Sequence, residues 1–385
     1  MLLDGYLSKH DQITKMSFRI IRPDSISAWQ NEDILKRFPR YRGILDGTQI
    51  ARYLLAKSLP VKFDDDLSLS KLENLLKLKS QEFKKLLELD FESQKKREVQ
   101  SKNYIDLITK ISQRYLDKCV FCERRCEINR NASERGFCFL TNDSYVSSAF
   151  LHMGEESVLV PSGTIFFQGC NFGCVFCQNY DLSQAWKGSK DIELIAQKVD
   201  EKTLAELAEK LSDRGAMNIN YVGGDPIPNI HTIIGSLNHQ NSNICQLWNS
   251  NFYCTQESLS LIVDPMDFWL PDFKYGNNEC AKELSKIDNY YDVLTRNLKL
   301  IHDKGSGEII IRHLVMPNHI ECCSKPILEF IAREIPKCVV NIMGQYRPEY
   351  LAYKYEKIDR KPTSKEINEV KHYADKLEIL YKPVS

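Results

Sequence analysis

The 385-residue sequence has no net charge, since 52 Lys and Arg balance 52 Asp and Glu. That balance removes the global basic field that nucleic acid or an anionic membrane surface would select. Nothing in the overall charge therefore points to either partner. There is no apolar run near the roughly 18 residues a membrane span needs. The start, "MLLDGYLSKHDQITK", carries Asp4 and no apolar block behind a basic cluster, so no signal peptide and a cytoplasmic location are expected. Between Pro60 and Gly136 there is neither glycine nor proline. Without either breaker, this Leu-, Lys- and Glu-rich stretch reads as helix. Leu75, Leu76, Leu78, Leu86, Leu87 and Leu89 fall at mixed three- and four-residue spacings. A mild basic excess over residues 1–118 reads as a solvated helix surface. No internal repeat or low-complexity linker is present.

Cysteine, by contrast, is abundant. Thirteen cysteines is an odd total, and most are bunched in clusters. Without an export signal this argues against a disulfide framework and for metal binding or catalysis. The upstream cluster, "CVFCERRCEINRNASERGFC", spaces Cys119, Cys122, Cys126 and Cys138 as C-x2-C-x3-C-x11-C, with Gly136 turning the chain back. Structural zinc or an auxiliary iron–sulfur cluster would fit those four thiols, and spacing does not choose between them.

From residue 160 the pattern alternates strand and helix. "SGTIFFQG" (162–169) reads as a buried strand. "NINYVGG", "CQLWNSN", "DFWLPDFKY", "EIIIRHLVMP" and "CVVNIMGQY" read as further strands. About six βα units imply a parallel sheet curved into a partial or full (β/α) barrel. "TLAELAEKLSDRG" carries a capping-box pattern from Thr203 to Glu206 and stops at Gly215. A second such pattern, Thr363 to Glu366, opens a last helix with Ile367, Val370, Tyr373, Ala374 and Leu377 on one face. The expected organisation is a helical extension (1–118), a cysteine-rich metal module (119–159), an α/β barrel (160–348) and a helical tail (349–385).

The first barrel strand runs straight into "GCNFGCVFCQNY", where Cys170, Cys174 and Cys177 crowd one loop with no fourth thiol nearby. Parallel α/β folds place their chemistry at such strand ends. Zinc structural sites and iron–sulfur clusters usually take four protein ligands, so three thiols leave a metal position open. The pattern C-x3-C-x-(aromatic)-C, with Phe176 in the aromatic place, resembles the signature of radical S-adenosylmethionine (SAM) enzymes. The resemblance implies a [4Fe-4S] cluster on Cys170, Cys174 and Cys177, with SAM completing the open iron. It also implies that Gly223, Gly224 and Asp225 of "VGGDP" hold the methionine amino group, although Asp stands where Glu is commoner. Asp272 and Lys274 of "DFKYG" match an Asp-x-Lys of relatives of the pyruvate formate-lyase activating enzyme, beside the methionine moiety. Residues 119–373 resemble one branch of those relatives, in which Cys-Pro-Arg is usual where this chain has Cys122-Glu123-Arg124. Asn249, Asn251, Arg312 and His313 sit at strand ends and are expected to face the pocket or to be satisfied core groups.

The implied activity is reductive cleavage of SAM to methionine and a 5′-deoxyadenosyl radical, which takes hydrogen from a substrate. That substrate is a glycyl-radical enzyme, another peptide, a nucleic acid or a small molecule. The implied partner is an external one-electron reductant of flavodoxin or ferredoxin type, with a protein substrate as one option. Two rivals are a methyl-transferring member of the same superfamily and a non-catalytic zinc or iron–sulfur interaction module. Adjacent residues of a strand face opposite ways, so Cys322 and Cys323 are not expected to face one pocket together, although one of them could ligate or relay in a loop; Cys280, Cys322 and Cys323 read mainly as buried small apolar side chains. Cys245, Cys254 and Cys338 read as core.

Overall fold

Among the described residues the chain ahead of the strands is mainly helical, and its longest helix falls in the stretch without glycine or proline. The computed structural model describes residues 21–184, 192–305 and 307–384; the opening "MLLDGYLSKHDQITK" lies outside them. After two short helices (Asp24–Ser27 and Glu32–Arg37) come α1 (Pro39–Leu45), α2 (Arg52–Lys57), α3 (Leu69–Leu87) and α4 (Tyr104–Arg114). α3 buries Leu72, Leu76, Phe83 and Leu86 and leaves Leu78 exposed, which is the one-sided stripe of a packed helix. α4 opens with a capping box in which Asn103 and Asp106 satisfy each other's backbone donors.

Among the described residues eight strands follow: β1 (Ser144–His152), β2 (Ser162–Phe167), β3 (Gln197–Val199), β4 (Asn218–Gly223), β5 (Cys245–Ser250), β6 (Phe268–Pro271), β7 (Ile310–Leu314) and β8 (Val339–Met343). The pairs β2–β4, β4–β5, β5–β6 and β7–β8 are parallel. Parallel bridges Trp269–Ile309 and Asp272–Arg312 continue the order from β6 to β7. Six parallel strands therefore form a partial barrel. β1 and β3, which sequence patterning did not pick out as strands, add antiparallel strands at the β2 edge.

The crossovers carry α5 (Glu201–Asp213), α6 (Ile230–Leu237), α7 (Gln256–Ile262), α8 (Asn278–Ser285), α9 (Tyr290–Lys304) and α10 (Lys325–Glu334). The expected cap of α5 shifts. Asp200, not Thr203, is its N-cap and accepts from the Thr203 amide at 2.7 Å. A carboxylate three residues upstream competes better for the free amides than the threonine does. The Thr363–Glu366 capping box forms as expected and opens α11 (Ser364–Lys376), which buries Val370 and Ala374.

The N-terminal helices dock at the N-terminal ends of the strands. Glu308, just before β7, accepts from the Arg40 and Tyr41 amides at 2.6 and 2.9 Å. Asp267, just before β6, accepts from the Arg52 amide, and Asn243, before β5, from the Ala51 amide. The opposite end of the barrel, where the cysteine loop emerges, is left to the chemistry.

Where the barrel is open, side chains bridge it. Glu155 and Glu156, on the segment between β1 and β2, are both buried. Arg312 of β7 donates to both, at 2.8 Å from Nε to Glu156 Oε1. Asn220 of β4 donates to Glu155, and Asn341 of β8 to Glu156 at 2.8 Å. Burial pushes the Glu155 carboxyl up, but Arg312 and His152 outweigh it and hold it down at about 2. Among the described residues, no helix is long and apolar enough to cross a membrane.

Candidate active site at the strand ends

β2 ends at Phe167, and Gly169 (φ +88°) turns the chain into the cysteine loop. The loop lies backbone-to-backbone on the glycine pair after β4. Gly224 N–H donates to Phe167 O at 2.8 Å, and Asp225 N–H to Gly169 O at 2.9 Å. A Cβ on Gly223 (φ +129°) would stand 2.2 Å from the Phe167 nitrogen, and one on Gly224 2.2 Å from the Gly169 oxygen. Only glycine permits this approach at either position. On its other side the loop is held by α8, through Gly173 N–H to Ser285 O and Val175 N–H to Leu284 O, both at 2.9 Å.

The result is a cavity of about 230 Å³. Cys170, Cys174 and Cys177 line it together with Phe176, Gly223, Gly224, Asp225, Asp272 and Lys274. Asn249, Asn251 and Arg312 also reach it. His313 does not. It is the next residue along β7, so its side chain points away, between Phe273 O and Ser324 Oγ (2.9 and 2.8 Å).

The cavity's electrostatics are set by burial. Burial pushes the Cys170 thiol well up and Cys174 up to about 12, so both carry protons unless a metal replaces them. Cys174 Sγ lies 2.9 Å from Ser285 Oγ, and Cys177 Sγ lies 3.1 Å from Ser183 Oγ. Lys274 Nζ donates to Asp272 Oδ2 at 2.5 Å. Burial works against its charge, but Asp272 and the nearby Cys174 outweigh that and raise its pKa. Asp225 is already engaged. It accepts from Ser250 Oγ (3.0 Å), the Asn251 amide (2.8 Å) and the Ile227 amide (2.9 Å). Burial nevertheless lifts its carboxyl to about 7. The Nδ2 of Asn249 is buried without an acceptor among the described residues.

The upstream cysteines form a second site. Cys119, Cys122, Cys126 and Cys138 line one small cavity with Gly136, whose absent Cβ would meet Cys126 Sγ at 3.0 Å. Arg124 stacks on Phe137 and donates 2.5 Å bonds to Asn171 O in the cysteine loop and to Lys286 O. Sequence reasoning missed Arg124 as a tie between the two cysteine modules; its signal was the family-like arginine of Cys122-Glu123-Arg124 inside the quartet. It also missed the Glu155–Glu156 pair, signalled by two adjacent acids inside "HMGEESVLV". The reading of Cys280 and Cys322 as buried is corrected: Cys280 is half-buried, Cys322 is exposed, and only Cys323 is buried.

Comparison with known proteins decides the family. Residues 164–331 match the profile of the Radical SAM superfamily. An uncharacterised protein of Methanocaldococcus jannaschii is 42% identical over 346 residues, covering 89% of this chain and 98% of that protein. The chain belongs to the radical SAM superfamily. Among solved structures, Streptococcus suis SuiB bound to the precursor peptide SuiA aligns with TM-score 0.39 and 15% identity over 55% of this chain. A radical SAM methyltransferase from Sphaerobacter thermophilus aligns with TM-score 0.42 and 11% identity over 57% of this chain. The chain spans 46% of SuiB and 65% of the methyltransferase.

Membership makes the protein an enzyme of the radical SAM kind. Such an enzyme uses a [4Fe-4S] cluster and SAM and draws on an external electron donor. The donor set fits both groups. Three thiols share one cavity, and among the described residues no fourth cysteine lines it. An ammonium, a carboxylate and an orphan amide donor stand on the same walls, which suits a zwitterionic amino-acid moiety.

Proposed function

We propose that Cys170, Cys174 and Cys177 hold the cluster and that SAM occupies the adjoining cavity. When bound, the cluster supplies the electron that splits the sulfonium of SAM, giving methionine and a hydrogen-abstracting 5′-deoxyadenosyl radical. The rest is done by the chain. Gly223 and Gly224 admit the ligand close to backbone. Asp225, poised near pH 7, accepts from the methionine amino group. Asp272 and Lys274 pair with opposite charges of the same moiety, and Asn249 Nδ2 donates to its carboxylate. Phe176 forms an apolar wall that excludes water from a reactive intermediate. The substrate side is an activase-type one, in which hydrogen is taken from a protein partner and a flavodoxin- or ferredoxin-type protein supplies electrons. Cys119, Cys122, Cys126 and Cys138 hold zinc or a second cluster beside the first.

One observation carries this reading: a strand-end cavity in which three thiols meet a Lys–Asp pair and an unsatisfied donor. The test is anaerobic reconstitution with iron and sulfide, then reaction with SAM under strong reductant. 5′-Deoxyadenosine is the expected product. S-adenosylhomocysteine alone would replace abstraction by methyl transfer, and no cleavage would leave only a metal-binding module. About four irons per chain plus one zinc that Cys119→Ser/Cys122→Ser removes assign the upstream quartet to zinc, and about eight irons assign it a second cubane.

A further inference from the structure

A third group of thiols lies outside the cavity. Cys280 opens α8, while Cys322 and Cys323 lie in a π-helical turn, Ile320–Ser324, between β7 and α10. The π turn overrides the alternation expected of a strand, so the two adjacent cysteines turn toward a common partner. Cys280 Sγ lies 3.9 Å from Cys322 Sγ, and Cys322 Sγ lies 3.9 Å from Cys323 Sγ. All three ligand atoms lie within 4.8 Å of one another, and among the described residues no other group of three or more Cys, His, Asp or Glu does so.

We infer that Cys280, Cys322 and Cys323 bind a single zinc ion as a thiolate trio, with the ring of His319, which stands just outside the close group, turning in as the fourth ligand. Distance is the first argument. Zinc–sulfur bonds of about 2.3 Å place tetrahedral thiolates about 3.8 Å apart, close to the separations found. A cubane sets its thiolates on different irons and needs a wider group, so this trio suits one ion. Donor chemistry is the second. His319 is buried, and its Nδ1–H donates to Pro317 O at 2.8 Å, which leaves the lone pair on Nε2. The ring lies in electrostatic contact with Cys280 and Cys322. An imidazole whose Nδ1 is fixed on a carbonyl is a ready zinc ligand.

The surroundings are built for the group. Asn277 Oδ1 caps α8 by accepting from the Cys280 amide at 2.8 Å. Its Nδ2 donates to Cys322 O at 2.7 Å and to Cys280 Sγ at 3.4 Å, so a single side chain orients both segments. Gly276 lets the post-β6 loop pass the turn: a Cβ there would stand 2.6 Å from Cys323 O and 2.9 Å from Cys322 O. The ion fastens the segment leading out of Asp272 and Lys274 to the turn before α10. It acts as a structural clip on the cavity wall, and it requires neither the cluster nor SAM.

The test is the metal content of the full chain, purified under reducing, oxygen-free conditions, followed by cobalt(II) substitution. Cys280→Ser/Cys323→Ser should lose one zinc per chain relative to the unaltered protein, whatever the upstream quartet holds. It should also lose one equivalent of the tetrahedral thiolate–cobalt spectrum. Cys170→Ala/Cys174→Ala/Cys177→Ala should keep both, which separates failure here from failure of the cluster assignment. His319→Gln should shift the cobalt bands. A second readout needs no variant. Zinc should slow alkylation of Cys322, followed on its own peptide by mass spectrometry, by roughly tenfold or more, and a chelator should restore the rate. Equal metal content in the unaltered and double-serine proteins, or a Cys322 rate indifferent to zinc, overturns the site. So does a native disulfide within the trio.

Discussion

Cys170, Cys174 and Cys177 come from one loop, share a large cavity and do not form a tight group. Cys280 and Cys322 are 42 residues apart in sequence, yet their sulfurs lie 3.9 Å apart beside a histidine. The first trio is local in sequence and loose in space, and the second is the reverse. Sequence spacing announces that thiols act together. Sulfur–sulfur distance tells how many metal atoms they surround. Their supports differ in the same sense: hydroxyls and an ammonium beside the cavity trio, a capping asparagine and a fixed imidazole around the close one.

The sharpest break between the two comes from Cys174→Ala. It should abolish the loop's iron and all SAM cleavage while leaving the close trio's metal untouched. Retained cleavage would end the cluster assignment, and parallel loss of both metals would make the two regions one folding unit.

Acid should reach the close trio through His313, which sits against Ser324 beside Cys323. Burial lowers the His313 pKa from 6.5 to about 4. Between those values the unfolded chain binds the extra proton, so stability falls as pH falls through that window. The loss is on the order of 3 kcal/mol at 1.36 kcal/mol per unit. Denaturant titrations at pH 7 and 4 should show it, and His313→Asn should remove it; an unchanged pH dependence would place that lability elsewhere.

Gly276→Ala should cost about 1–3 kcal/mol by overpacking against the Cys322 and Cys323 carbonyls. It should disturb metal at the close trio and spare the loop cluster, as calorimetry with metal analysis would reveal.

The smallest expected effect is at Asp225. With its carboxyl near 7, SAM binding should tighten as pH rises through neutrality, because only the ionised form attracts an amino group. Asp225→Asn should flatten that dependence and weaken binding about tenfold, the worth of one pKa unit. Calorimetric titration on cluster-loaded protein reads both, and a persisting slope would move the amino-group contact elsewhere.

Much of this was legible in the sequence because strand ends are punctuated there. "GCNFGCVFC", "VGGDP" and "DFKYG" each close an apolar run with residues that carry chemistry, and the parallel sheet brings all three to one cavity. What could not be read depends on geometry without a local signature. A π-helical turn looks like any helix start, so Cys322 and Cys323 seemed bound to diverge. His313 and Arg312 look equivalent until strand facing separates them. The helical third announced its secondary structure but not its docking, because Glu308 and Asp267 grip bare amides that any sequence supplies.

The bridge from Glu155 and Glu156 to Arg312, Asn220 and Asn341 has a mechanical consequence. A seam closed by ions and amides, unlike a ladder of paired backbones, has no register to keep. The two flanks it joins can shift by a fraction of a residue without unzipping any strand. The width of the barrel's mouth is then tuned by side-chain length and charge, and one substitution at Arg312 would reset the aperture through which a reaction partner must pass.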